Sequence, residues 1–219
     1  MRMRKKANLE PRMEACAAWQ VKDPVAMKGS WRSLYPQARE LWVEIGCGKG
    51  KFTVETAQAN PDILLIAIER CREAMVMAME KARDMGLKNV FFVDLDVALM
   101  EGCFAFGEID RMFINFPDPW PRSKNAKRRL TYHTFLKMYT RVIRDGGEIH
   151  VKTDNAKLFE FTLEELEAVG LPTKNLTRNL HENGIVGIMT GYEEKFHALG
   201  TPINRCEIIC HPIPNEAEA

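Results

Sequence analysis

The chain has 219 residues and a formal net charge of +1, with 31 Lys and Arg against 30 Asp and Glu, and 46% of its residues are hydrophobic. That length gives one domain ample core, and the near balance of charge excludes a polycation, so any nucleic-acid surface must come from local clustering. No apolar run reaches the roughly 18 residues of a bilayer span, and the basic start (Arg2, Arg4, Lys5, Lys6) has no apolar segment behind it, which excludes a secretory signal.

Residues 1–30 predict a basic, partly flexible N-terminal arm, and 31–219 a single domain. Leu41 to Ile45 reads as a first strand, followed by a glycine-rich loop and a helix over Lys51 to Ala59 that Asn60-Pro61 stops. Ile63 to Glu69 is a continuous apolar run ending in an acid, as a buried parallel strand would be. Arg72 to Met85 predicts a helix with Ala74, Met75, Ala78, Met79 and Ala82 on one face and Gly86 at its C-terminal cap. Val90 to Val93 is the third strand and Ile109 to Phe116 the fourth. A helix over Leu130 to Ile143 ends at Asp145-Gly146-Gly147, and Glu148 to Lys152 is the fifth strand. Lys157 to Val169 predicts a further helix, broken by Gly170-Leu171-Pro172, and a last strand lies near Arg205 to Cys210. Strands alternating with helices in this way predict a doubly wound α/β sheet.

The first loop reads Glu44-Ile45-Gly46-Cys47-Gly48-Lys49-Gly50. A dinucleotide fingerprint, G-x-G-x-x-G/A, fails here, because its last small position falls on Lys51 counted from Gly46 and on Thr53 counted from Gly48. Glu44 puts a carboxylate where a pyrophosphate is repelled and a cation is favoured. S-adenosyl-L-methionine, with an ammonium and a sulfonium, fits Glu44, Gly46, Gly48 and Gly50 better. Glu69 lies about twenty residues past the loop, the spacing at which an acid takes ribose hydroxyls. Asp96 follows strand three, within reach of an adenine amine, and Asp118 follows strand four.

Strand four runs into Asn115-Phe116-Pro117-Asp118-Pro119-Trp120-Pro121-Arg122, whose three prolines fix φ and remove amide donors, a rigidity suited to aiming Asp118. Arg122, Lys124, Lys127, Arg128 and Arg129 follow with no acid before Asp145, and they are expected to contact an RNA phosphate backbone. The six cysteines, at 16, 47, 71, 103, 206 and 210, are scattered, which predicts reduced thiols in the cytoplasm. Cys206, Cys210 and His211 have no fourth ligand nearby in sequence, so no metal is expected.

Five pieces together resemble the bacterial tRNA (guanine-N7)-methyltransferase family, called TrmB. They are Val43 to Gly50, Asn115 to Trp120, Lys127 to Leu130, Val151 to Asn155 and Thr190 to Phe196. The resemblance implies a class I S-adenosylmethionine-dependent methyltransferase: a Rossmann-like, doubly wound, mostly parallel seven-stranded sheet. It implies methylation of a guanosine in the variable loop of tRNA, with tRNA as partner; no membrane is expected, and a monomer or homodimer is. The family's cofactor contacts fall on Glu44, Glu69, Asp96 and Asp118, and Asp118 matches the residue usually named catalytic. Substrate-binding positions fall on Asp154 and on Thr190, Gly191, Tyr192 and Glu193, and on Arg122, where the family often has lysine. An arginine keeps that charge with a different geometry. Two other readings stay open on the residues alone: a methyltransferase acting on another RNA, a small molecule or a protein, and a non-catalytic RNA-binding protein of the same fold.

Overall fold

A computed structural model of the protein describes residues 8–213, so Arg2, Arg4, Lys5 and Lys6 of the expected arm lie outside the described residues. The chain divides into two compact units, Met1–Phe104 with Ile188–Gly191, and Ala105–Gly187 with Tyr192–Ala219.

The first unit contains α1 (Leu9–Glu14), β1 (Glu40–Ile45), α2 (Lys51–Ala59), β2 (Ile63–Ile68), α3 (Arg72–Asp84), β3 (Val90–Val93) and the short α4 (Met100–Cys103). β1 pairs in parallel with β2 from Glu40↔Ile63 to Ile45↔Ile68, and β2 with β3 from Leu65↔Val90 to Ile68↔Val93. All six residues of β2 are buried, which is why its sequence shows no alternation of apolar and polar positions. The methionine face of α3 packs inward, with Met75 and Met79 fully buried. α3 ends in a left-handed Gly86, whose amide donates to Arg83 O while that of Leu87 donates to Ala82 O; the pair satisfies carbonyls the helix leaves open. Gly50 starts α2 with φ +74°, and a Cβ there would lie 2.8 Å from Ala78 Cα, so the two helices approach too closely for any side chain.

Residues 8–30 make specific contacts. Arg12 forms a paired bridge to Glu80 at 2.6 Å, Trp19 Nε1 donates to Leu87 O, and the Val21 amide donates to Phe92 O. Trp31 is fully buried, donates to Cys103 O at 2.8 Å and stacks on Phe104.

The second unit contains β4 (Ile109–Asn115), α5 (His133–Val142), β5 (Ile143–Thr153), α6 (Ala156–Val169), β6 (Thr173–Thr177), α7 (Gly191–Ala198) and β7 (Asn204–Ile209). The helix expected over Leu130 to Ile143 begins only at His133, because Ser123–Arg128 forms a tight 3-10 turn that continues into an extended Arg129. The Asp145-Gly146-Gly147 segment does not separate helix from strand. β5 starts directly at Ile143 and takes the glycines into the strand, where the register against β4 shifts between Ile109 and Arg111. Gly147 is needed there, since a Cβ would lie 2.9 Å from Asp110 O. α6 is capped by Asn155, whose side chain accepts from the Leu158 amide at 2.9 Å.

Seven strands form one sheet in the order β3-β2-β1-β4-β5-β7-β6, with β7 antiparallel to both of its neighbours. The doubly wound expectation holds. The edge strand β6 was not read from the sequence: it is polar, and Asn175 (φ +51°) interrupts its register. Such an irregular edge resists pairing with another chain.

Candidate active site

In the first unit the glycine loop leaves β1 and enters α2. Glu44 lies inside β1, one residue before its end; it is 1% exposed and accepts from Thr53 Oγ1 at 2.5 Å. A threonine in the first turn of α2 therefore fixes this carboxylate, a partner not read from the sequence. Gly46 and Gly48 have φ of +76° and +55°, and a Cβ at either would meet nothing within 4 Å. Packing does not require these two glycines, unlike Gly50. They leave open backbone surface beside a buried carboxylate.

Glu69 follows β2 directly and is half-buried. Its Oε2 accepts from the Gly48 amide at 2.9 Å and its Oε1 from the Cys71 amide at 2.7 Å. One carboxylate thus ties the glycine loop to the start of α3. Between them, Cys47 is buried, and burial, with the charges of Glu44 and Glu69, pushes its thiol well above the usual range. It stays protonated and is no nucleophile. Asp96 caps the turn Val97–Leu99 by accepting from the Ala98 amide, and its other oxygen lies 3.0 Å from Arg70. Thr190 and Gly191 also belong to this unit, next to Met189, whose carbonyl accepts from Lys51 Nζ at 3.4 Å.

In the second unit, Asp118 is exposed at the middle of the proline loop. The loop is strained: Phe116 has φ +51° and Trp120 φ +40°. Each such bulky residue in the left-handed region costs about 1–3 kcal/mol, sustained only where the surroundings over-determine it. The surroundings do so here. The Phe116 amide donates to Lys152 O at 2.8 Å, and Tyr192 packs on the Phe116 ring at 5.1 Å. Arg129 donates through Nε to Pro119 O at 3.1 Å and through Nη2 to Trp120 O at 3.0 Å, and its guanidinium lies 4.2 Å from the Phe161 ring centre. Arg128 stacks on Trp120 at 3.8 Å.

The five cations read as one RNA-facing run are therefore of two kinds. Arg122, Lys124 and Lys127 are exposed, whereas Arg129 is half-buried against the proline loop and Arg128, still exposed, leans on Trp120. Sequence shows the charge of such residues and not their partners.

Glu193 is fully buried. It pairs with Lys152 Nζ at 2.7 Å and with His181 Nε2 at 3.0 Å. His181 Nδ1 accepts from the Val186 amide, which fixes the ring as the Nε2–H tautomer. Neither Lys152 nor His181 was singled out from sequence; nothing in the chain order joins them to Glu193. Tyr192 stacks on Phe196 at 4.3 Å, and burial together with the charge of the half-buried Asp154 raises its phenol.

Away from these residues, Glu148, His150 and Glu207 bring ligand atoms within 4.8 Å of one another. Arg111, Lys174 and Arg205 already pair with the two carboxylates, so a divalent ion would have to displace three cations. Among the described residues all six cysteines are free thiols, and no helix is long and apolar enough to cross a membrane.

The strand order, the single antiparallel β7 and the acid-flanked glycine loop define a class I methyltransferase fold. Solved structures agree on the fold: a 16S rRNA methyltransferase, KamB, aligns with TM-score 0.64 at 15% identity over 85% of this chain and 94% of that one. An antibiotic-related methyltransferase aligns with TM-score 0.60 at 16% identity over 82% of this chain and 91% of that one. A family model described as "Putative methyltransferase" matches residues 38–206. The tRNA (guanine-N(7)-)-methyltransferase of Geobacillus kaustophilus is 40% identical over 97% of this chain and 98% of its own. That of Bacillus velezensis is 42% identical over 95% and 96%, and that of Bacillus subtilis 40% over 95% and 98%. The chain belongs to the tRNA (guanine-N(7)-)-methyltransferase family.

Proposed function

We propose that the protein transfers a methyl group from S-adenosyl-L-methionine to N7 of a guanosine in the variable loop of tRNA. The observation that carries this reading is the likeness, at about 40% identity over nearly the whole chain, to relatives named tRNA (guanine-N(7)-)-methyltransferase. The residues of the first unit fit the cofactor. Gly46 and Gly48 leave backbone open to a ligand, Glu44 supplies a buried negative charge for a cationic one, and Glu69 and Asp96 supply acceptors for ribose hydroxyls and an adenine amine. When bound, S-adenosylmethionine supplies a methyl group on a sulfonium that departs as a neutral thioether.

Guanine N7 carries a lone pair and no proton, and its methylation leaves the ring cationic. No residue has to remove a proton. What the chain must supply is orientation, exclusion of water and negative charge near the developing cation. Asp118 serves as orienter and electrostatic stabiliser, accepting from guanine N1 and N2, with Asp154 and Tyr192 of the same unit completing base recognition; Glu193, fully buried and paired with Lys152 and His181, does not touch the base. The guanosine must leave its tertiary stack to be reached. Arg122, Lys124 and Lys127 are the exposed cations best suited to phosphate.

A tRNA transcript in which only the variable-loop guanosine is replaced by adenosine tests the site. The reading expects methyl transfer to the parent transcript and none to the altered one. Equal transfer to both would refute it.

A further inference from the structure

We propose that Arg129 is a positioning residue that holds the Asp118 loop in its strained shape, and is not a phosphate contact. This rests on the reading of Asp118 as part of the methyl-transfer site. The loop between Phe116 and Pro121 cannot hold itself. Pro117, Pro119 and Pro121 have no amide hydrogen, so its carbonyls find few donors within it. Two of its residues, Phe116 and Trp120, sit at positive φ, where a bulky L side chain relaxes unless something opposes it. At the start of the loop, the Phe116 amide is bound to Lys152 O on β5. At the end, Arg129 donates from two adjacent nitrogens of its fork to the carbonyls of Pro119 and Trp120. Asp118 lies between these two anchors.

The chemistry of the side chain matches the task. Two carbonyls one residue apart need two donors held in one plane, which a guanidinium offers and an ammonium does not. Phe161, on α6, covers one face of that plane. Arg128 stacked on Trp120 gives the same loop a second contact from the residue next door. A cation with two nitrogens committed to carbonyls and a face against an aromatic ring is poorly placed to neutralise an RNA phosphate.

The two roles separate experimentally. In full-length protein carrying Arg129→Met, single-turnover methyl transfer at saturating cofactor and tRNA should fall by about 10²-fold, the scale of a 1 Å misplacement at a reacting centre. Arg129→Lys should fall less, since it can satisfy one carbonyl. In both, the slope of log tRNA affinity against log salt should stay at the wild-type value. An unchanged saturated rate with a slope lowered by about one unit would overturn the proposal and make Arg129 a phosphate contact. Hydrogen exchange at the Phe116 amide is the second measurement, and it does not depend on activity. Exchange should be about tenfold faster in Arg129→Lys, and unchanged protection would overturn the proposal even if Arg129→Met fails to fold. If wild-type protein methylates no tRNA, the functional reading fails, while the exchange result still decides whether Arg129 holds the loop.

Discussion

Replacing Glu69 with Gln should weaken S-adenosylmethionine binding through the loop that Glu69 organises as well as through the ligand itself. In the free protein the carboxylate accepts from the Gly48 and Cys71 amides at 2.9 and 2.7 Å, one on each oxygen. Gln has the same shape but a single acceptor oxygen, so its amide nitrogen must face one of those two N–H groups. At least one charge-assisted bond, of about 1.5–3 kcal/mol, is lost, and a donor is turned against a donor. If the loop must be ordered to bind, that loss passes directly into affinity, as a factor of about 10–150. Glu69→Asp keeps the charge with a shorter reach and should lie between Gln and wild type. Isothermal titration of the three proteins with the cofactor measures the effect, and circular dichroism shows whether the fold survives. A wild-type dissociation constant for Glu69→Gln would refute both the cofactor role and the loop argument.

Asp118→Asn should lower the single-turnover rate by about 10²–10³, as for loss of one electrostatic stabiliser, with Asp118→Ala lower still; wild-type activity in the Ala variant would remove Asp118 from the reaction. Gly50→Ala forces a side chain into the Ala78 backbone at positive φ, and should cost about 2–4 kcal/mol, read as a melting temperature lower by about 5–15 °C; an unchanged melting temperature would contradict the packing described. Burial lowers His150 to about 4, and Glu148 is held at about 2 against its own burial by hydrogen bonds from Lys174 and His150 and by Arg111. Both shifts make the unfolded chain bind more protons in acid. Stability should therefore fall as pH drops from about 6.5 to 4 through His150, by about 3 kcal/mol, and from about 4.5 to 2 through Glu148. Urea unfolding of His150→Gln should lack the first of these slopes, and an identical pH profile would refute the assignment.

The parallel strands were legible because burial on both faces leaves runs such as Ile63–Ile68 that few other elements produce. The cap of α3 was legible because Gly86 has a single geometric role there. Boundaries failed where one residue type serves two purposes. Asp145-Gly146-Gly147 reads as a helix stop, yet those glycines let β5 kink past β4. β6 and α1 were missed because each is short and largely polar, stabilised by tertiary pairing rather than by its own pattern. At the candidate site, the residue identities were readable and the commitments were not. Asp118 and Glu69 stand at strand ends as read, but the burial of Glu193 under Lys152 and His181, and the attachment of Arg129 to two loop carbonyls, join residues between 9 and 41 positions apart. Charge patterning alone made Arg129 look like its neighbours Lys124 and Lys127.

The proposed reaction puts a methyl group on N7 of a tRNA guanosine. Purified protein incubated with labelled S-adenosylmethionine and unmodified tRNA, followed by digestion and nucleoside mass spectrometry, tests it most directly. The expected result is 7-methylguanosine as the single labelled nucleoside, at no more than one per tRNA. Label appearing on another base, on another atom of guanine, or on no nucleoside at all would contradict it.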